Sequence, residues 1–293
     1  MMNRLNNEKM CFYKETYKKS EHWDGKKSLK SKTVIVYFEQ GIGDTIQFLR
    51  YIKELKKHDC IIIVQCDPLI KCILPYVDGI DDFVSKKESV LPKHDLHILS
   101  LDLPYLLLNC KKTTLEDWRT GKKQQFYIEK INENIPTTPY INFHDKIDLG
   151  SKDKTIGICW EGNPNHKNNS NRSCPLKYFK NIKSRVFSLQ KEIHQSEFTE
   201  QCEDFDLWGS EINDFEDTMR IINSVDFVIT VDTSILHLAG SLNKKTFVLL
   251  STDCDERWGR KSNKTLWYPS LTLIRQEKIN EWESCFQILV ENT

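Results

Sequence analysis

The stretch EQGIGDTIQFLRY, Glu39 to Tyr51, places a carboxylate, Asp44, at the first position of a helix that a glycine turn opens. Helix amino termini attract anions through their backbone N–H groups and the helix dipole, so a carboxylate there competes with any phosphate. Three chemistries fit the spacing. In a purely structural turn, Gly41 and Gly43 supply unusual backbone angles and Asp44 complements the dipole. In a dinucleotide fingerprint, G-x-G-x-x-G, the same glycines cradle a pyrophosphate and Asp67 meets the ribose. The third position, however, is Ile46, and Asp44 would repel the pyrophosphate. In the third, Asp44 is a general base, held on a rigid turn at the carboxyl edge of a parallel sheet, where α/β proteins bind ligands. Electrostatics disfavours the dinucleotide reading.

Three further clusters carry polar groups in useful patterns. The loop WEGNPNHKNNSNRS (160 to 173) offers His166, Lys167 and Arg172 at a strand's carboxyl end. An arginine fork and a lysine point charge suit a diphosphate, and a solvated surface loop is the plainer alternative. In VITVDTSILHLAGSL (228 to 242) a buried strand runs straight into a helix. Asp232 is expected at the N-cap, with the N–H groups of Thr233 and Ser234 at the positive end, ready for a phosphate. His237 lies about a turn further in and, taken alone, reads as a packing or polar-network residue. The fourth segment, DCDERWGRKSNKTLWYP (253 to 269), contains a literal D-x-D, Asp253 and Asp255, beside Arg257. Such a pair can hold a cation on a diphosphate, but Arg257 offsets it and no metal is expected. Trp258, Trp267 and Tyr268 either wall a pocket or pack in a core.

These groups need strands and helices to hold them. TVIVYF (33 to 38) is a continuous β-branched run, as strands buried on both faces read, and an amphipathic helix follows it with Ile46, Leu49, Ile52 and Leu55. CIIIVQC (60 to 66) and shorter candidates at 81 to 85 and 96 to 101 complete one parallel sheet. Residues 129 to 153, rich in Pro, Asn, Asp and Thr, read as a linker. A second alternation has strands at 154 to 160, 185 to 190, 226 to 231 and 245 to 250. Before the third of these, NDFEDTMRIINSV reads as a helix with a capping box at Asn213 and Glu216 and a stripe of Phe215, Met219, Ile222 and Val225. A helix is also expected after Pro175. The result is two α/β domains.

Composition narrows the function classes. At 293 residues the chain is longer than a single domain of ~100 to 150 residues. Lys plus Arg and Asp plus Glu both number 42, so there is no net field to hold a polyanion, and nucleic acid is not expected as a partner. Ten cysteines are scattered without a C-x-x-C pair, which suits buried thiols in a reducing compartment. The polar, lysine-rich first 33 residues lack a signal-peptide core, and no apolar run reaches the ~20 residues of a membrane span, so a cytoplasmic protein is expected.

In order and at suitable spacing, EQGIGDTIQFLRY, CWEGNPNHKNNSNRS, SLQK, VDTSILHLAG and WYPSLTLIRQ resemble glycosyltransferase family 9, which includes the lipopolysaccharide heptosyltransferases. The likeness runs from about Trp23 to the carboxyl end and looks closest to the branch often fused behind tetratricopeptide repeats. It implies an α/β GT-B fold, two Rossmann-like domains facing a central cleft. The expected parts are an extension (1 to 32), an acceptor domain (33 to 145), a nucleotide-sugar domain (146 to 277) and a last helix crossing back (278 to 293). By position it makes Asp44 the base, with Gly41, Gly43, Thr45 and Gln47 forming the acceptor-side turn. Lys167, Arg172, Gln190, Asp232, Thr233, Ser234 and His237 would bind the donor. DERW, where relatives of this branch often carry Asp-Trp-Arg-Trp, and NNSNRS, which lacks a common aspartate, leave the sugar open. No repeat region precedes the module in this sequence, so its docking role is expected to be absent or supplied by another chain. The implied activity is an inverting, metal-independent transfer from a nucleotide-diphosphate sugar to a saccharide, glycolipid or glycoconjugate. It implies no cofactor, peripheral contact with the inner membrane face, and a monomer or weak oligomer. A silent sugar-nucleotide-binding or scaffolding protein and an NAD-dependent oxidoreductase stay open as alternatives.

Overall fold

The computed structural model describes residues 20–107, 139–151, 153–182, 184–191, 205–206 and 212–292. The chain divides into two compact units, Met1–Ile141 and Asn142–Thr293. The described part of the expected linker, 139–151, contains neither helix nor strand, and 129–138 lies outside the described residues.

The first unit is built on five strands, β1 (Glu21–His22), β2 (Thr33–Tyr37), β3 (Ile61–Cys66), β4 (Asp82–Ser85) and β5 (Leu96–Leu99). Their order is β1-β5-β2-β3-β4 and every pair is parallel. Val36 lies between Val64 and Ile98, and β2 is buried from Val34 to Tyr37, as its unbroken apolar run requires. The expected stripe Ile46, Leu49, Ile52 and Leu55 is buried as one face, but on two helices, α1 (Ile42–Leu49) and α2 (Ile52–Lys56). The break has a local cause. Arg50 Nε donates to the Gln47 carbonyl at 2.8 Å, the acceptor that Tyr51 N–H would take in a continuous helix, and Tyr51 N–H turns to Phe48 O instead. A further short helix, α3 (Leu103–Leu107), follows β5.

Six strands form the second sheet: β6 (Thr155–Cys159), β7 (Arg185–Ser188), β8 (Phe205–Asp206), β9 (Phe227–Val231), β10 (Thr246–Leu250) and β11 (Leu271–Arg275). The order is β11-β10-β9-β6-β7-β8, again parallel throughout. Four α-helices are described here, α4 (Asn169–Arg172), α5 (Phe215–Ser224), α6 (Ser234–Ser241) and α7 (Glu283–Asn292). On one face Ile156, Ile158, Phe227, Ile229, Val231, Phe247 and Leu249 point together at the period of two that strands impose. Trp282 and three residues of α7, Cys285, Phe286 and Leu289, cover them. Each large apolar side chain so buried contributes about 1.5–3 kcal/mol. Residues of the last segment, Trp282, Cys285, Phe286 and Leu289, are thus part of the core of this unit. The helix expected after Pro175 is a 3₁₀ helix, Leu176–Asn181, whose Phe179 is fully buried.

The cap of α5 is shifted by one residue from expectation. Asp214 accepts from Glu216 N–H (2.8 Å) and Asp217 N–H (3.2 Å), and Asp217 reaches back to Asn213 N–H at 3.0 Å. Asp214 and Asp217 have the same i, i+3 spacing as Asn213 and Glu216, and ionised acceptors at a helix start outcompete an amide. The described cysteines are free thiols, all buried except Cys72, and burial pushes Cys66 and Cys285 up to about 12. Among the described residues no helix is long and apolar enough to cross a membrane.

One close approach in the second unit is demanding. A Cβ on Gly240 of α6 would sit 2.4 Å from the ring of Tyr268, which is 1% exposed and has no room to retreat. Gly240→Ala is therefore expected to destabilise the protein by about 1–3 kcal/mol through overpacking, despite the better helix propensity of alanine. Thermal unfolding checks this; an unchanged or raised melting temperature contradicts it.

Candidate functional site

In each sheet the chain steps from its first long strand to opposite sides, which opens a crevice at the carboxyl edge between neighbouring strands. In the first unit that point lies between β2 and β5. Glu39, just past β2, accepts through Oε2 from the N–H (3.2 Å) and hydroxyl (2.9 Å) of Ser100, just past β5. Asp102 ends the same turn fully buried, 3.2 Å from His22 Nε2 on β1. Asp44 lies here too, half-exposed in the first turn of α1 but at its third residue rather than its first.

The glycines work differently from expectation. Gly41 is the N-cap with φ −69° and ψ 174°, extended backbone open to any residue, and Gly43 has no positive φ either. A Cβ at Gly41 would lie 3.8 Å from Asp44 Oδ2, an ordinary contact. Thr45 and Gln47 are 1% and 0% exposed and lie on the inner side of the turn; Thr45 Oγ1 donates to Gly41 O at 3.0 Å. Asp67 caps a 3₁₀ turn by accepting from Leu69 N–H (3.0 Å), which engages the carboxylate a dinucleotide reading assigns to a ribose. Lys86, which the motifs did not single out, follows β4 and donates to Gln40 O at 3.0 Å.

In the second unit the crevice lies between β6 and β9, and contacts there link Arg172 with Asp232, and Gln190 with Thr233 through the Cys159 thiol. Arg172, at the end of α4, donates through Nη1 to Asp232 O (3.0 Å) and through Nε to Asn169 Oδ1 (3.2 Å). Its guanidinium lies flat against Gly162: a Cβ there would be 2.2 Å from Nη2. Burial lowers the Arg172 pKa, and Asp232 and Cys159 oppose that shift. Thr233, not Asp232, is the N-cap of α6, its hydroxyl accepting from Ile235 N–H at 3.3 Å. Gln190, past β7, accepts from Glu161 N–H (3.2 Å) and from the Cys159 thiol (3.3 Å), and the same sulfur lies 3.7 Å from Thr233 Oγ1. The ends of β6, β7 and β9 are thereby tied together. Ser234 opens α6, and Lys167 stands exposed on the loop.

Asp232 is displaced from the cap because its carboxylate has another partner, the Trp258 indole N–H at 2.9 Å. Enclosure raises its pKa above the ordinary aspartate value, and Arg257, Trp258 and Arg172 pull it back. His237 is buried, with Nδ1 2.9 Å from the Tyr268 hydroxyl and its ring 5.6 Å from that of Trp258. Trp258 and Tyr268 are therefore core residues of a polar network, and Trp267 stays half-buried. The D-x-D carboxylates are divided between partners. Asp253 accepts from Ser251 Oγ (2.9 Å) and Asn171 Nδ2 (3.1 Å), while Asp255 accepts from Arg257 N–H (2.9 Å) and pairs with its guanidinium. Among the described residues no group of three or more His, Cys, Asp or Glu side chains could hold a metal. A pocket of about 510 Å³ lined by Ile147, Asp148, Lys154, Thr155 and Asp226 lies at the opposite, amino edge of this sheet, away from these groups.

No protein-family model and no curated protein matches the chain. Solved structures do. A glycosyl transferase family 9 protein from Veillonella parvula superposes with a TM-score of 0.56 at 13% identity, over 91% of this chain and 97% of its own. The ADP-heptose lipopolysaccharide heptosyltransferase II of Escherichia coli gives 0.56 at 13%, over 89% and 100%. The iron-containing dodecameric glycosyltransferase TibC of enterotoxigenic E. coli gives 0.55 at 11%, over 88% and 67%. With its two parallel α/β sheets, the chain has the GT-B fold of these glycosyltransferases.

Proposed function

We propose that the chain is an inverting, metal-independent glycosyltransferase of family 9, nearest the branch often fused to tetratricopeptide repeats. It moves a hexosyl or heptosyl group from a nucleotide-diphosphate donor to a hydroxyl of a saccharide, glycolipid or glycoconjugate, in the cytoplasm or at the inner membrane face. The observation that carries this reading is the seat of Arg172. A guanidinium is held on a bare glycine peptide at the β6/β9 crevice, beside the amino terminus of α6, where N–H groups and a cation converge as a diphosphate requires. The nucleotide sugar named for the heptosyltransferase II neighbour, ADP-heptose, is the first donor to try.

On this reading Asp44 takes the proton of the acceptor hydroxyl, the acceptor oxygen bonds to the anomeric carbon from the face opposite the leaving group, and the bond from that carbon to the phosphate oxygen breaks. The nucleoside diphosphate departs with its charge met by Arg172, Lys167 and the N–H groups at Thr233 and Ser234. Those donors make a bridging cation redundant, and Asp253 and Asp255 already have protein partners. A silent sugar-nucleotide binder would use the same crevice but would not need Asp44.

A thermal-shift screen against ADP-, GDP-, UDP- and dTDP-sugars identifies the donor, since a ligand of the folded state raises the melting temperature. With it, Asp44→Asn is expected to cut turnover by ~10²- to 10⁴-fold while donor affinity stays within about threefold. Turnover above a tenth of wild type overturns the base assignment.

Gly162→Ala tests the seat of Arg172. Gly162 has no positive φ and the contact it would make is with the end of a flexible side chain, so the fold should persist while the guanidinium moves. Nucleoside diphosphate affinity is expected to fall about tenfold or more, the scale of one charge-assisted hydrogen bond, with nucleoside affinity and melting temperature nearly unchanged. Equal losses for nucleoside and diphosphate would place the phosphates elsewhere.

A further inference from the structure

We propose that Asp253 and Trp258 are positioning residues for the Arg172 guanidinium: the segment after β10 clamps both the helix that carries Arg172 and the aspartate whose carbonyl receives it. The inference rests on Arg172 meeting the donor diphosphate, and it gives the D-x-D sequence a use that needs no metal.

The carrier helix depends on outside contacts. α4 is a single turn, Asn169–Arg172, without a side-chain cap, and a helix so short does not hold itself together. Asp253 Oδ2 accepts from Asn171 Nδ2, beside Arg172, at 3.1 Å, and its other oxygen accepts from Ser251 Oγ at 2.9 Å. Asn171 Nδ2 also donates to Oδ1 of Asn168, the N-cap, at 2.8 Å, so the contact secures both ends of the turn. α4 follows β6 and Asp253 follows β10, with β9 between them, so the clamp joins strands that are not neighbours.

The same segment holds the receiver. Trp258 Nε1 donates to Asp232 Oδ2 at 2.9 Å, and the Asp232 carbonyl accepts from Arg172 Nη1 at 3.0 Å. Trp258 is itself fixed from two sides. Asp255 caps the 3₁₀ helix Glu256–Trp258 by accepting from Arg257 N–H at 2.9 Å, and Arg275 of β11 donates through Nη2 to Trp258 O at 2.6 Å. The carrier of the guanidinium and its acceptor are thus tied to one short stretch of chain. A guanidinium held in this way loses less freedom when an anion binds it.

Charge and position predict opposite signs, which makes the proposal testable. Removing a carboxylate near an anion site strengthens anion binding on Coulomb grounds, whereas releasing α4 weakens it. The probe is inorganic pyrophosphate, titrated calorimetrically with chelator present. Asp253 is exposed, so Asp253→Ala should fold normally. Its pyrophosphate affinity should fall about three- to tenfold, the scale of one lost hydrogen bond. Asp253→Asn keeps an oxygen that can accept from Asn171 and should bind at least as tightly as wild type. Trp258→Phe, which keeps a ring and loses the N–H, should also weaken binding. Added to Arg172→Ala, Asp253→Ala should cause no further loss, because the clamp acts through Arg172. Unchanged or tighter binding in Asp253→Ala or in folded Trp258→Phe overturns the proposal, as does a further loss in the Arg172→Ala background. Mn²⁺, titrated alone, that binds wild type but not Asp253→Asn overturns it too, since the carboxylates would then hold a cation. The two readings fail separately. Wild-type pyrophosphate affinity in Arg172→Ala, or no binding to wild type, removes the diphosphate seat and the clamp with it. A loss in Arg172→Ala without one in Asp253→Ala removes only the clamp.

Discussion

Burial of the strands on both faces is the constraint from which the rest of the molecule follows. β2 beyond Thr33 and β6, β9 and β10 throughout are closed to solvent, so no side chain within them can meet a ligand. Parallel pairing then sends every carboxyl end to one edge, and the polar groups that gather there come from the few residues after each strand. Glu39, Lys86 and Ser100 in the first unit, and Gln190, Asp232 and Thr233 in the second, occupy such positions. Their mutual contacts cross strands that are distant in sequence, so the sheet positions them more than any local motif does.

That division explains what the sequence disclosed. The long strands and the α6 turn were legible because continuous β-branched runs and strand-to-helix junctions are local signals. β1 and β8, two residues each, carry no periodicity to read, and β11 was quoted as a motif without being read as a strand. Of the linker expected at 129 to 153, the described residues carry neither helix nor strand. Capping was misplaced at α5 because two acceptor pairs with equal spacing stand one residue apart, and at α6 because Asp232 is drawn away by an indole 26 residues later. A glycine in a turn suggests unusual backbone angles. Gly41 has none, whereas Gly162 and Gly240 matter through the side chains pressed against them.

Partners far along the chain account for the other surprises. His237 with Tyr268, Arg172 with the Asp232 carbonyl, and Lys86 with Gln40 pair residues 31, 60 and 46 apart. A reading by motif sees only one member of each pair. The signal that could have found Lys86 was its place immediately after a strand of the parallel sheet, β4, which ends at Ser85.

Zero net charge conceals a particular local arrangement of charge at each edge. At the first, Asp44 stands in the turn after β2 and Lys86 ties that turn to the end of β4 through Gln40 O; at the second, Arg172 and Arg257 stand beside two aspartates, Asp232 and Asp255. Within the proposed mechanism Asp44 suits a hydroxyl that must lose a proton, and the Arg172 guanidinium suits a phosphate. Asp232 looks like an exception, a carboxylate beside the amino terminus of α6. Its enclosure favours the protonated form, while the two guanidiniums and the Trp258 N–H favour the charged one. A carboxylate engaged in this way presents little free charge to a phosphate. Its backbone carbonyl and side chain hold Arg172 and Trp258 respectively, so the same residue that seems to oppose an anion fixes the cation that would receive it.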